Sequence, residues 1–152
     1  MKKISLAVAG LLFSGLASAV QLPSTGTVFQ TVCSNLNEDV RINLTTGVVA
    51  GVSCTNARVA LAACHTGGMQ KSRSVGQKTI TVQVDDGSGN MVDQQQTVSC
   101  SVGTADPDCA TVAVTGAAVP SSTTNAGTVN NQYPGTGACT VGVAETVANG
   151  LN

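Results

Sequence analysis

Apolar and polar residues alternate over several stretches of the chain, the period-two signature of a half-buried strand. The clearest stretch is residues 78–102. Ile80, Val82 and Val84 fall on one face and Thr79, Thr81 and Gln83 on the other. Asp85-Asp86-Gly87-Ser88-Gly89-Asn90 then supplies residues that tolerate positive φ, and Val98, Cys100 and Val102 resume the alternation. This pattern predicts a β-hairpin with arms at 78–84 and 91–102. Val40, Ile42 and Leu44 alternate in the same way before Thr45-Thr46-Gly47, and an apolar run opens at Val48, which predicts a second hairpin. Residues 27–32, 48–54 and 111–119 complete the expected strands.

Two segments break the pattern. Residues 56–64 carry Ala57, Ala60, Ala62 and Ala63 with Arg58 and Leu61, a composition that suits one short helix capped by Thr55 or Asn56, with a strand as the alternative. Residues 120–137 are rich in Ser, Thr, Asn and Gly and close on Tyr133-Pro134-Gly135, which predicts a long loop or an extended surface segment. No sequence repeat of fixed period is visible, which disfavours a solenoid.

At the start, Lys2 and Lys3 precede an apolar run over 4–16, and Ala17-Ser18-Ala19 offers small residues for cleavage. This is the pattern of an export signal, 1–19, too short to span a membrane comfortably. The expected mature chain begins with an extended arm, 20–32, holding Val28, Phe29 and Val32, and continues as a single disulfide-stabilised β-rich domain, 33–152. From Val20 onward there are 21 Val, 19 Thr and 2 Ile but only 5 Leu, and the aromatic residues are Phe29 and Tyr133. Stiff β-branched side chains favour pleated strands, so the expected fold is mainly β, a small antiparallel sandwich or barrel.

Six cysteines, Cys33, Cys54, Cys64, Cys100, Cys109 and Cys139, all follow the signal, and an even number in an exported chain predicts disulfides. None shows the two-residue spacing of a zinc ribbon or thioredoxin-like site. The sequential pattern is favoured: Cys54 with Cys64, Cys100 with Cys109, and Cys33 joining the ends through Cys139.

Candidate chemistry is sparse. His65 is the single histidine, and no Gly-x-Ser-x-Gly elbow accompanies it. Cys64-His65 resembles half of a haem-attachment motif, but position 61 is Leu where the first thiol belongs. An enzymatic reading would need His65 beside a carboxylate such as Asp106 or Asp108. Asp85, Asp86 and Asp93, or Asp106 and Asp108, are weak calcium candidates; no Glu stands where an EF-hand loop needs it, because position 95 is Gln, and the hairpin-turn reading is preferred. Leu22-Pro23-Ser24-Thr25-Gly26 resembles a sortase signal at the wrong end of the chain and reads instead as part of the extended arm.

Without Lys2 and Lys3 the seven basic residues fall to five against eight acidic ones, a formal charge of −3, which disfavours nucleic acid as a partner. Lys71, Arg73 and Lys78 lie close together with no aromatic between them and read as a solvated face. No catalytic residue, cofactor or metal ligand is therefore expected. A Val/Thr/Gly/Ala-rich, aromatic-poor exported chain with disulfides resembles in composition the subunits of bacterial surface fibres, pili and envelope coats. That resemblance implies a structural protein, secreted, on the cell surface or in the periplasm, whose partner is itself or another protein. The alternative is a monomeric secreted or periplasmic binding module, an adhesin or inhibitor, presenting a disulfide-fixed loop near 64–76 or 100–109.

Overall fold

The computed structural model describes residues 18–85, 88–103, 106–135 and 137–151; most of the expected export signal lies outside them. Among the described residues ten strands and one helix follow in order: β1 (Ser18–Leu22), β2 (Gly26–Val28), β3 (Val40–Ile42), β4 (Val48–Cys54), β5 (Val59–His65), β6 (Arg73–Asp85), β7 (Met91–Ser99), β8 (Ala110–Val114), β9 (Val119–Thr123), β10 (Asn130–Gln132) and α1 (Val141–Asn149). The fold is mainly β and antiparallel, as expected. Its sheets are β1-β4-β5-β9-β10, the ribbon β2-β3, and β7-β6-β8, and none is a closed barrel.

The five-stranded sheet is covered on both faces, with the ribbon packed on it in a sandwich-like way. Val49, Ala60, Ala62, Cys64 and Val119 meet Ala144, Val147 and Ala148 of α1 on one side. On the other, Ala50, Val52 and Cys54 meet Leu22, Val28 and Cys33, with Ile42 of β3 alongside. Double coverage explains why β4 is buried at every position after Val48 rather than at alternate ones.

Small side chains make this possible without aromatics. Ser53 lies opposite Ala60 and Gly51 opposite Ala62, and Ala60 and Ala62 in turn lie opposite Thr123 and Ser121. The helix-facing surface is thus nearly flat, and α1 comes so close that a Cβ on Gly51 would stand 2.3 Å from the Glu145 backbone nitrogen. Thr140 caps α1, its Oγ1 accepting from the Val143 N–H at 3.2 Å.

Several expectations need correction. Residues 56–64 form a turn and then strand β5, the strand alternative rather than the helix: Ala60 and Ala62 are small enough to sit under α1, and pairing with β4 and β9 overrides propensity. The second hairpin does not form, because β3 pairs with β2 and β4 pairs with β1 and β5. Residues 120–137 hold most of β9 and all of β10, and the buried Ser121 and Thr123 give that stretch its loop-like polarity. Residues 111–119 divide between β8 and the first residue of β9. In 27–32, β2 ends at Val28 and a turn follows, with the Val32 and Cys33 N–H groups donating to the Phe29 carbonyl. The 78–102 hairpin forms, with β6 paired to β7 from Gln77 opposite Ser99 to Asp85 opposite Met91; its second arm ends at Ser99, short of the expected Val102.

The segment 20–32 is tied into the chain's own sheets. Val20, Gln21 and Leu22 lie opposite Val52, Gly51 and Ala50, and Val28 lies opposite Val40.

Candidate functional site

All six cysteines are paired, but two of the three expected bridges are wrong. The pairs are Cys33–Cys54, Cys64–Cys139 and Cys100–Cys109, with Cα separations of 5.4, 5.8 and 5.9 Å. Cys54 and Cys64 stand on adjacent strands, yet Cys54 lies opposite Val59 and Cys64 opposite Val49. They occupy opposite ends of the strand pair, and Cys54 packs with the ribbon while Cys64 packs with α1. The bridge expected from Cys33 to Cys139 is excluded for the same reason, since Cys33 belongs to the ribbon side and Cys139 to the helix side.

The other candidates remain apart. His65 is exposed, and its Nδ1 accepts from the Gly67 N–H at 3.0 Å. Asp106 bonds Lys78 instead, at 2.8 Å, so the pairing an enzymatic reading required does not form among the described residues. Asp85 accepts from the Gly89 N–H at 3.2 Å as a turn residue does, Asp93 accepts from Gln83, Asp108 is exposed, and Asp86 lies outside the described residues. Among the described residues no cluster of three potential metal ligands occurs, and no helix is long and apolar enough to cross a membrane.

The basic segment is less solvated than its composition suggests. The Arg73 guanidinium stacks 5.2 Å from the centroid of the Tyr133 ring and donates to the carbonyls of Met69, Lys71 and Gly116. It locks the start of β6 against the segment that enters β9.

Two surfaces stand out. The first is the outer edge of β8, which pairs on its inner side with Arg73–Gln77 of β6 and ends the three-stranded sheet. Ala110, Thr111, Val112 and Ala113 are all exposed. Among the described residues no hydrogen bond from another element reaches its outer side. Strand β1 is likewise the edge of the five-stranded sheet.

The second is a cleft of about 530 Å³ between the β6–β7 hairpin and the five-stranded sheet. One wall is the hairpin face carrying Ile80, Val82 and Val84, with Gln94 and Gln96 opposite Val82 and Ile80. The other wall comes from Arg58, Thr123, Asn125, Thr128, Gln132 and Leu151.

Arg58 is placed by the turn between β4 and β5. Its N–H donates to Thr55 Oγ1 at 3.3 Å and its carbonyl accepts from the Thr55 N–H at 3.0 Å. It is only 8% exposed, and Nη1 donates to Gln94 Oε1 at 3.1 Å across the cleft. Burial lowers its pKa from the ordinary value, yet a guanidinium stays charged at neutral pH. Gln132 ties the walls together at the base, its Nε2 donating to the Thr97 carbonyl at 3.4 Å.

Sequence reasoning assigned Arg58 to a helix and passed over the Gln94-Gln95-Gln96 run. The available signal was a cation set between Ala57 and Val59, a residue that must find polar company if its segment is buried. Compared with known protein families, characterised proteins and solved structures, the chain matches none at a significant level.

Proposed function

We propose that the protein is a non-catalytic structural subunit of an exported bacterial surface or envelope assembly, which binds copies of itself by strand addition at open sheet edges. The observation that supports this reading most directly is the chemistry of β8. Natural edge strands are usually guarded by charge, proline or a bulge, whereas Ala110-Thr111-Val112-Ala113-Val114 contains neither a charge nor a proline.

A second copy suits this edge well. Antiparallel pairing of identical strands brings the same set of side chains together from both copies, so a strand carrying charge of one sign would repel its copy. A neutral one does not, even on a chain whose expected mature form carries net negative charge. What the expected mature chain keeps of strand β1, Val20-Gln21-Leu22, is a second uncharged edge on a different sheet. One edge closes a dimer; two allow an assembly to continue. Three disulfides fit an oxidising compartment outside the cytoplasm.

Sedimentation velocity of the oxidised protein, with Val112→Lys beside it, tests the reading. The expected result is a high-mass species for the unaltered chain and, for Val112→Lys, nothing larger than a dimer joined through β1, with unchanged far-UV circular dichroism. A monomeric unaltered chain at all concentrations, or an assembly larger than a dimer that survives Val112→Lys, would overturn it and favour the monomeric binding module.

A further inference from the structure

We propose that the Cys100–Cys109 bridge is a thiol–disulfide exchange site, attacked by a dithiol at Cys100, and that its opening frees β8 from β6 and withdraws the edge assigned above to self-association. That last consequence rests on the strand-addition reading; exchange and release do not.

Topology sets this bridge apart. Strands β7 and β8 flank β6 and both run antiparallel to it, so the chain between them must cross β6. It crosses at Gly76, where a Cβ would stand 2.3 Å from the Cys100 carbonyl oxygen and 2.9 Å from Cys109 Sγ. The bridge thus lies over the central strand and joins the end of β7, at Ser99, to the start of β8, at Ala110. Beside it, the Cys100 N–H donates to the Gly76 carbonyl at 3.1 Å and Lys78 pairs with Asp106 at 2.8 Å. Neither partner of that ion pair is buried, and such pairs contribute little. Strand β8 is itself weakly anchored: Ala110 to Ala113 are exposed, and the buried Val114 stands at its far end. The covalent tie is therefore the principal restraint on the near end of β8.

Accessibility sets it apart as well. Cys33, Cys54, Cys64 and Cys139 are all buried, so neither of their bridges presents a cysteine to solvent. Cys109 is buried too, but Cys100 is half-buried between the exposed Ser99 and Ser101. A thiolate of the dithiol attacks Cys100 Sγ; the S–S bond breaks, and its electron pair leaves on Cys109 Sγ, which takes up a proton. The second thiolate of the dithiol then attacks its own sulfur in the mixed disulfide and expels Cys100, which is protonated in turn. Two electrons and two protons have passed to the bridge, and the dithiol departs as a disulfide.

Release changes the character of the edge. Without β8, the sheet ends on residues 73–77 of β6, Arg73-Ser74-Val75-Gly76-Gln77, where a charge and a glycine disfavour strand addition. Reduction therefore exchanges an unguarded edge for a guarded one.

Treatment of the oxidised protein with graded dithiothreitol, quenched by iodoacetamide at intervals and read by peptide mass mapping, tests the exchange. Cys100 and Cys109 should be labelled roughly tenfold or more faster than the other four cysteines, which wait for their sheet to open. Hydrogen exchange of the Cys100→Ser, Cys109→Ser double variant tests the release. Residues 110–114 should exchange roughly tenfold or more faster than in the unaltered chain, with 48–54 unchanged. If the double variant fails to fold, the unaltered chain held at the lowest dithiothreitol concentration that opens this bridge takes its place. In sedimentation velocity, opening the bridge should reduce the assembly to a dimer or smaller, and reoxidation should restore it. Equal labelling of all six cysteines, or earlier labelling of another pair, would overturn the proposal. So would unchanged exchange at 110–114, or an assembly indifferent to the bridge. A chain that stays monomeric when oxidised would remove the strand-addition reading alone, because labelling and hydrogen exchange still decide the switch.

Discussion

The five-stranded sheet and the β7-β6-β8 sheet are both antiparallel and both carry Val along their strands, yet they behave oppositely. In the first, β4 and β5 are held between α1 and the ribbon, and two disulfides tie that packing to distant parts of the chain. In the second, no residue of β6 is fully buried. Of its neighbours, only Val98 of β7 and Val114 of β8 are. The difference is residue size at the layer contact. Gly, Ala and Ser along β4, β5 and β9 let α1 approach closely and exclude water, whereas the Ile80–Val82–Val84 face has no layer upon it and borders the cleft. A β-branched strand therefore becomes core or surface according to what can reach it, not according to its own pattern.

The sharpest way to break the comparison is to remove one bridge from each region. Replacing Cys64 and Cys139 by Ser frees two positions 75 residues apart and is expected to cost about 4 kcal/mol by the loop-entropy relation. The same change at Cys100 and Cys109, 9 residues apart, should cost about 2–3 kcal/mol. Urea unfolding of both variants gives the two values, and equal losses would mean that the regions do not differ in this way.

Next comes the layer contact itself. Gly51→Ala drives a methyl group into the Glu145 backbone and should destabilise by about 2–3 kcal/mol, as overpacking does when neither partner can yield. The loss should appear in urea unfolding, together with reduced helical circular dichroism from α1.

The smallest effect belongs to the hairpin. Gly89 has φ +83° with nothing near its would-be Cβ, so Gly89→Ala should cost about 1 kcal/mol through backbone conformation alone. Hydrogen exchange should locate that loss in β6 and β7 and leave β4 and β5 amides unchanged; faster exchange in β4 would show that the two sheets open together.

Legibility in the sequence followed the same division. The β6–β7 hairpin was readable because it is local and half-exposed, so its alternation survives intact. Strand β5 was not, since its alanines answer to a helix some eighty positions later in the chain. Helix α1 itself was passed over: Val141, Gly142, Val143 and Thr146 are poor helix formers. Even so, Ala144, Val147, Ala148 and Leu151 carry a helical period behind the Thr140 cap. The cleft was invisible for a related reason. Arg58 and Gln94 meet across 36 positions, and nothing in their local patterns records the encounter.

The position of α1 also has a consequence in time. A chain that emerges N-terminus first, from a ribosome or through a secretion channel, presents β4 and β5 long before the segment that covers them. Until the last part of the chain arrives, one face of the sheet stays bare without Val141–Asn149, Cys64 lacks its partner Cys139, and Gln21 waits for Glu145, with which it forms a 2.6 Å hydrogen bond. Completion of the fold is thereby deferred to the end of delivery. A product truncated before Cys139 would carry an unpaired thiol beneath an uncovered sheet, the features by which quality-control machinery recognises unfinished chains.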